Sequence, residues 1–195
     1  MASETTNVSA TSAPGQPVSP GMLIDRLSRF DGPADQFLAN LLAVQCRLAN
    51  ATAGAILRPA ADNQVQVLAV HPPLEEGSTP PSWLSQTMEA AAGVMESGAT
   101  SVRPLHSADD LYGASAQRHV IMVPLRGGQG VRGVAAYLIE SADRAIVATG
   151  RERLELTTSL LSLYEMRLTL QQRQTDLRRL QLAMGVLVAV DEQEK

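Results

Sequence analysis

The C-terminal quarter of the chain sets the tightest limit on its fold. From Arg144 to Val190 there is no proline, and the only glycine after Gly150 is Gly185. The stretch RERLELTTSLLSLYEMRLTLQQRQTDLRRLQLAMGVLVAV therefore predicts one long helix. At ~1.5 Å per residue, about 45 residues reach ~68 Å, whereas a small domain is only ~30 Å across. Roughly half of such a helix has to project beyond its own domain. Leu156, Leu163, Leu170, Leu177 and Met184 recur every seventh residue, each followed three places later by Ser159, Met166, Arg173, Leu180 and Leu187. This is a seam of a and d positions interrupted at Ser159 and Arg173. The first turns can pack on the domain, but Leu170, Leu177, Leu180, Met184 and Leu187 each forgo ~1.5–3 kcal/mol of burial if left in water. A homodimer is the simplest remedy, with Leu163, Leu170, Leu177, Leu180, Met184 and Leu187 at its interface and the helices parallel or antiparallel. A fold-back at Gly185, or continuation into a further domain, would also cover the stripe.

Upstream, HVIMVPLRGGQGVRGVAAYLIES (residues 119–141) sets two apolar runs around a glycine-rich turn. It reads as a hairpin of two strands, with Gly127, Gly128 and Gly130 supplying the turn's backbone freedom. Proline in a strand is confined to edges, ends or bulges, which limits where Pro124 can sit. AGAILRP and NQVQVLAVHP read as two further strands; Gln64, Val65, Gln66, Val67 alternate as a strand with one wet face should. ATSVRPL is a short strand. Helical spacing marks MLIDRLSRF, stopped by Asp31-Gly32-Pro33, then ADQFLANLLAVQCRLAN with its stripe Phe37, Leu38, Leu41, Leu42, Val44 and Leu48, then SWLSQTMEAAAGVMES. HSADDLYGASAQR is a polar loop. Short turns between adjacent strands imply an α+β fold, a central antiparallel sheet with flanking helices and a long coiled-coil-like C-terminal helix. Residues 1–20, rich in Ser, Thr, Ala, Pro and Gly, read as a disordered leader. A domain over 21–165 and a projecting helix over 166–195 follow.

The element order and VIMVPLRGGQGVRGVAAYLI, with its Val-Pro-Leu and its Gly-Val entry into the second strand, resemble the GAF domain family of small-molecule sensor modules, over residues 34–165. PAS-like domains share the architecture. The resemblance implies a sheet with helices on one side and a pocket on the other, in which members hold cyclic nucleotides, haem, bilins or metabolites, and many hold nothing known. The cyclic-nucleotide members carry an Asn-Lys-Phe-Asp-Glu type motif, and here the one lysine is Lys195. Bilin members attach through a cysteine in the loops around the pocket, whereas Cys46 lies on a helix. Haem would take an axial ligand from His71, His106 or His119. Such helices in the family join sensors to output domains.

Read for chemistry, the chain offers little. The lone terminal lysine removes Schiff-base and phosphate-loop chemistry, which need a placed lysine. A single cysteine excludes an intrachain disulfide and a multi-cysteine zinc site; Cys46 reads as a buried small apolar residue rather than a reactive thiol, as a sulfoxide reductase of this family would require. Ser107, His106 and Asp109 or Asp110 lack a strained nucleophile turn and read as loop chemistry. The formal charge of -4 argues against a nucleic-acid binder, and no window reaches the ~18 apolar residues of a membrane span. His71 and His119 read as strand-end positions with solvent as partner. The residues expected at a small-molecule site are Arg103, His106, Asp110, Tyr112 and Met122, above a floor of Val120, Ile121, Met122, Val123, Val134, Ala136 and Leu138. No catalytic residue, metal site or cofactor is assigned. The expectation is a cytoplasmic, non-enzymatic sensor or regulatory module that dimerises or signals through its last helix. The alternative is a ligand-free assembly or scaffold domain at the front of a larger, transport- or envelope-related protein.

Overall fold

The computed structural model describes residues 19–60, 64–75, 77–105, 117–127 and 130–193, with side chains as far as Leu182. The elements run α1 (Pro20–Ser28), α2 (Ala34–Ala49), β1 (Ala53–Pro59), β2 (Val65–His71), α3 (Ser82–Ser97), β3 (Ser101–Leu105), β4 (Arg118–Gly127), β5 (Gly130–Glu140) and α4 (Arg144–Gln193). Local chemistry sets the helix ends. Ser19 Oγ accepts from the Met22 amide 3.3 Å away, with Pro20 opening the first turn of α1. Asn50 at φ 54° and Gly98 at φ 61° close α2 and α3 in the left-handed conformation that frees the next segment to turn away. Asp143 Oδ1 accepts from the Ala145 amide at 2.8 Å and starts α4.

The five strands form one antiparallel sheet in the order β2-β1-β5-β4-β3. β4 and β5 are covered on both faces, which explains why their sequences are continuous apolar runs rather than alternating ones. Val120 and Met122 of β4, with Val134, Ala136 and Leu138 of β5, pack under Trp83, Leu84, Ala91 and Val94 of α3. Ile121, Val123, Ala135, Tyr137 and Ile139 point the other way, onto Leu42, Cys46 and Ala49 of α2 and Val147 and Leu154 of α4. The expected single floor is thus split, because neighbours in a strand face opposite sides; Ile121 and Val123 belong to the far layer. A third cluster joins Leu27 of α1, Phe37 and Leu41 of α2 and Tyr164 of α4, the rings of Phe37 and Tyr164 stacked 3.8 Å apart.

Edges behave as edges. In β2 the polar residue of the expected alternation, Gln66, is exposed, and a bulge opposite Ile56 and Leu57 leaves Leu68 partly in water. β3 ends opposite Met122, so Pro124 sits where β4 has lost its β3 neighbour, the edge type of position to which proline in a strand is confined. Among the described residues no helix is long and apolar enough to cross a membrane.

Two glycines make opposite predictions. A Cβ on Gly133, in the Gly-Val step of the hairpin, would stand 2.4 Å from the backbone oxygen of Leu57 in the neighbouring strand. Gly133→Ala should destabilise the fold by about 1–3 kcal/mol, since backbone and not a flexible side chain must yield. Gly93, within α3, has nothing within 4 Å of its Cβ position. Gly93→Ala should stabilise by about 0.8–1 kcal/mol through helix propensity alone. Urea titrations of the two variants against the parent read both signs.

Candidate functional site

The site that stands out is α4, because one helix serves as both core element and spar. Its inner face carries Val147, Gly150, Leu154, Thr157 and Tyr164, all buried. Gly150 lets the helix come close, since a Cβ there would meet Ile139 Cδ1 at 2.8 Å and the Ala49 oxygen at 3.2 Å. Polar contacts then run up the helix. Arg153 donates to the Leu48 carbonyl at 2.8 Å, Tyr164 Oη to the Gly32 carbonyl at 2.8 Å, and Arg167 to the carbonyls of Phe30 (3.1 Å) and Ser28. These arginines satisfy carbonyls at the ends of α1 and α2 that no helix bond reaches. Gln171 Nε2 reaches Asp31 Oδ1 at 3.4 Å. From 168 to 182 every side chain is exposed.

About 100° around the helix from Thr157 and Tyr164 lies the heptad stripe. Leu156, Leu163, Met166, Leu170, Leu177 and Leu180 each expose more than half of their surface, Leu156 as much as 76%. The stripe begins beside the domain. Leu156 also lines a groove of about 460 Å³ with Pro20, Leu23 and Ile24 of α1, Leu48 of α2, Asn50 at its C-terminal cap, and Arg153. Met184 and Leu187 lie outside the residues with described side chains. On the opposite flank of α4 a polar cleft of about 480 Å³ is lined by Thr100, Pro124, Arg126, Glu155, Thr158 and Ser159. Its charges are already engaged. Arg126 donates to the Gly98 carbonyl at 2.5 Å, and hydrogen bonds from Thr100 and then Arg151 hold the Glu155 carboxyl below its ordinary value.

The small-molecule residues are partly brought together. The pairings Arg103↔Val120 and Ser101↔Met122 place Arg103 and Met122 on the α3 face of the sheet. Arg103 is exposed with its Nε 3.4 Å from Ser101 Oγ, whereas Met122 is fully buried under α3. His106, Asp110 and Tyr112, with Ser107 and Asp109, lie outside the described residues, as do residues 1–18 of the expected leader. His119 departs from expectation, while His71 keeps its strand-end position, partly exposed at the close of β2. His119 pairs with Ile139 and His71 with Gly54, and both partners direct their side-chain positions to the α2 and α4 layer. Neither histidine therefore points to the α3 face, so neither fits as axial ligand for a haem held there. His119 Nδ1 is buried without a hydrogen-bond partner among the described residues, where a solvent partner was expected. No group of three or more His, Cys, Asp or Glu that would hold a metal occurs among the described residues.

Sequence reasoning missed a buried polar chain. Tyr137 Oη donates to Gln45 Oε1 at 2.5 Å, and Gln45 Nε2 donates to Thr157 Oγ1 at 3.0 Å. A glutamine on the inner stripe of α2, between Leu41, Leu42 and Leu48, was the available signal. Beside this chain Cys46 is buried, and desolvation pushes its thiol up to about 12; desolvation, and then the neighbouring Cys46, push the Tyr137 phenol up as well.

Cys46 should therefore be inert toward alkylating reagents in the native protein at pH 8 and react on unfolding, since a shift from 9.0 to about 12 leaves roughly a thousandfold less thiolate. The folded chain keeps this proton longer than the unfolded one. The associated stability is intact below about pH 9 and is lost as pH climbs toward 12. Urea titrations at pH 8 and pH 10 should show a steeper loss in the parent than in Cys46→Ala.

No family model matches the sequence, and no curated protein matches it. Solved structures do. The GAF domain of A. aeolicus nlh2, in an inactive state, superposes with a TM-score of 0.53 at 14% identity, covering 76% of this chain and 96% of that one. The chromophore-binding domain of the Stigmatella aurantiaca bacteriophytochrome gives a TM-score of 0.49 at 13% identity, covering 73% of this chain and 57% of that one. At such identities the likeness speaks to architecture and not to activity. The chain has a GAF-type α+β fold, a five-stranded antiparallel sheet between helical layers with a long C-terminal helix.

Proposed function

We propose that this chain is a non-enzymatic regulatory module of the GAF type, which pairs with a second copy through α4 and passes a change in its domain along that helix. The observation that carries the reading is the exposed stripe at seven-residue spacing, Leu156, Leu163, Leu170 and Leu177, on a helix whose inner face is committed to the core as far as Tyr164. A solvated helix face has no reason to repeat leucine at that period, whereas a two-helix seam does. The non-enzymatic part is supported by the inert environment of Cys46 and by the continuous apolar packing of β4 and β5. In a sensor, the small molecule would sit on the α3 face with Arg103 at its rim, where a guanidinium grips an anion or stacks on a ring. The expected compartment is the cytoplasm.

A second reading keeps the pairing and drops the ligand. It is favoured by the tight layer of Trp83, Leu84, Ala91 and Val94 on Val120, Met122 and Ala136, which occupies the α3 face with the chain's own side chains. Mass spectrometry of small molecules that co-purify with the chain, followed by thermal shifts with each, separates the two.

The pairing itself is tested by sedimentation equilibrium at micromolar concentration. The parent should weigh twice its chain mass. Leu170→Glu/Leu177→Glu should dissociate at least a hundredfold more readily with little change in melting temperature, because both positions already lie more than half in water within one chain. A parent that stays monomeric at ~100 μM, well above typical dimer affinities, would overturn the reading.

A further inference from the structure

We infer that the chain of hydrogen bonds Tyr137–Gln45–Thr157 fixes the rotational phase of α4 on the domain, and so decides which face the projecting helix presents. Tyr137 sits on β5, the middle strand of the sheet, and is fully buried, as is Gln45 on α2. The phenol donates to the amide oxygen, the amide nitrogen donates to the Thr157 hydroxyl, and that hydroxyl donates onward to the carbonyls of Arg153 (2.9 Å) and Leu154 (3.2 Å) in its own helix. Three side chains from sheet, inner helix and outer helix are thus joined in one sequence of donors and acceptors that closes on backbone.

Apart from the Gly150 approach and the Phe37–Tyr164 stack, the apolar contacts around them do not impose a unique angle, and Arg153 and Arg167 reach their carbonyls through long side chains that can follow a modest turn. Val147, Leu154 and Leu161 meet α2 and the sheet through non-directional contacts that tolerate rotation. A hydrogen bond weakens steeply with misalignment, and a buried donor left alone is unfavourable, so a satisfied polar chain in a core specifies geometry more than it adds stability. Leu156 and Thr157 are adjacent in sequence, about 100° apart on the helix. Turning α4 by one residue would set Leu156, which cannot accept a hydrogen bond, against Gln45 and swing the leucine stripe away from its present direction. The phase restraint stands on the buried chain alone; its effect on pairing rests on reading the stripe as a seam.

The test uses the full chain with nitroxide labels at Glu140→Cys and Arg173→Cys, both exposed positions, leaving the buried Cys46 in place. Mixing with excess unlabelled protein restricts the measurement to distances within one chain. The parent should give one narrow distance population. The near-isosteric variant Tyr137→Phe/Gln45→Leu/Thr157→Val should fold, melt at or above the parent temperature, and give a population broadened or split by several ångströms. Thr157→Val alone should broaden it too, and Thr157→Ser, which keeps the hydroxyl, should restore the narrow population. A folded triple variant with the parent's distance would overturn the inference; if the triple variant fails to fold, a parent-like distance in Thr157→Val does the same. Sedimentation of the same samples reads the pairing separately, so a monomeric parent with a phase-sensitive distance sinks the seam and leaves the restraint standing.

Discussion

The seating of α4 against α2 is the contact on which the rest of the molecule depends. Without it the outer faces of Leu42, Cys46, Phe37 and Leu41 would open, and α1 would lose the platform that buries Leu27. The contact is built for closeness first. Gly150 admits the backbone of α2 to van der Waals range, and the stacked pair Phe37 and Tyr164 fixes the spacing higher up. It is finished by Arg153, which satisfies a carbonyl in the last turn of α2, and by Tyr164 and Arg167, which satisfy carbonyls between α1 and α2. Hence the same residues that terminate two helices also anchor a third, and the domain ends where these anchors run out, near Gln171.

Most of the fold is legible in the sequence because its periodicities are clean. The strict alternation of Gln64 to Val67 marks β2, the Asp31-Gly32-Pro33 breaker separates α1 from α2, and the proline-free C-terminal stretch is one helix as expected. The division of the hairpin between two layers was harder to see. A strand buried on both sides has no wet residue to reveal its parity, so Ile121 and Val123 look equivalent to Val120 and Met122 until a helix is placed on each face. Histidines at strand ends suffer the same ambiguity: the register that sends His71 and His119 to the α2 and α4 layer comes from long-range pairing with Gly54 and Ile139. Gln45, Thr157 and Tyr137 escaped for another reason. Only Gln45, on an apolar stripe, gives a signal alone, and the meaning of all three arises from contact across separations of 92 and 112 residues.

Taken as the proposed seam, the stripe on α4 suits an adjustable contact more than a permanent one. On the reading of the stripe as a seam, six half-exposed side chains from each of two copies offer on the order of 10–15 kcal/mol of burial at ~25 cal/mol per Å². Association itself consumes an estimated ~4–15 kcal/mol. Pairing at micromolar concentration needs about 8 kcal/mol of that difference, so Ser159 and Arg173, which replace apolar residues at d positions, are large perturbations on a modest net value. Further surface beside Leu156, where α1 and α4 border an open groove, can shift that balance in either direction. A regulatory coupling typically amounts to ~1–3 kcal/mol, too little to reverse a strongly apolar, uninterrupted seam but enough to change the affinity of an interrupted one roughly 5–150-fold. The interruptions are thus what would let a modest rotation of the helix at its seat change how two copies meet.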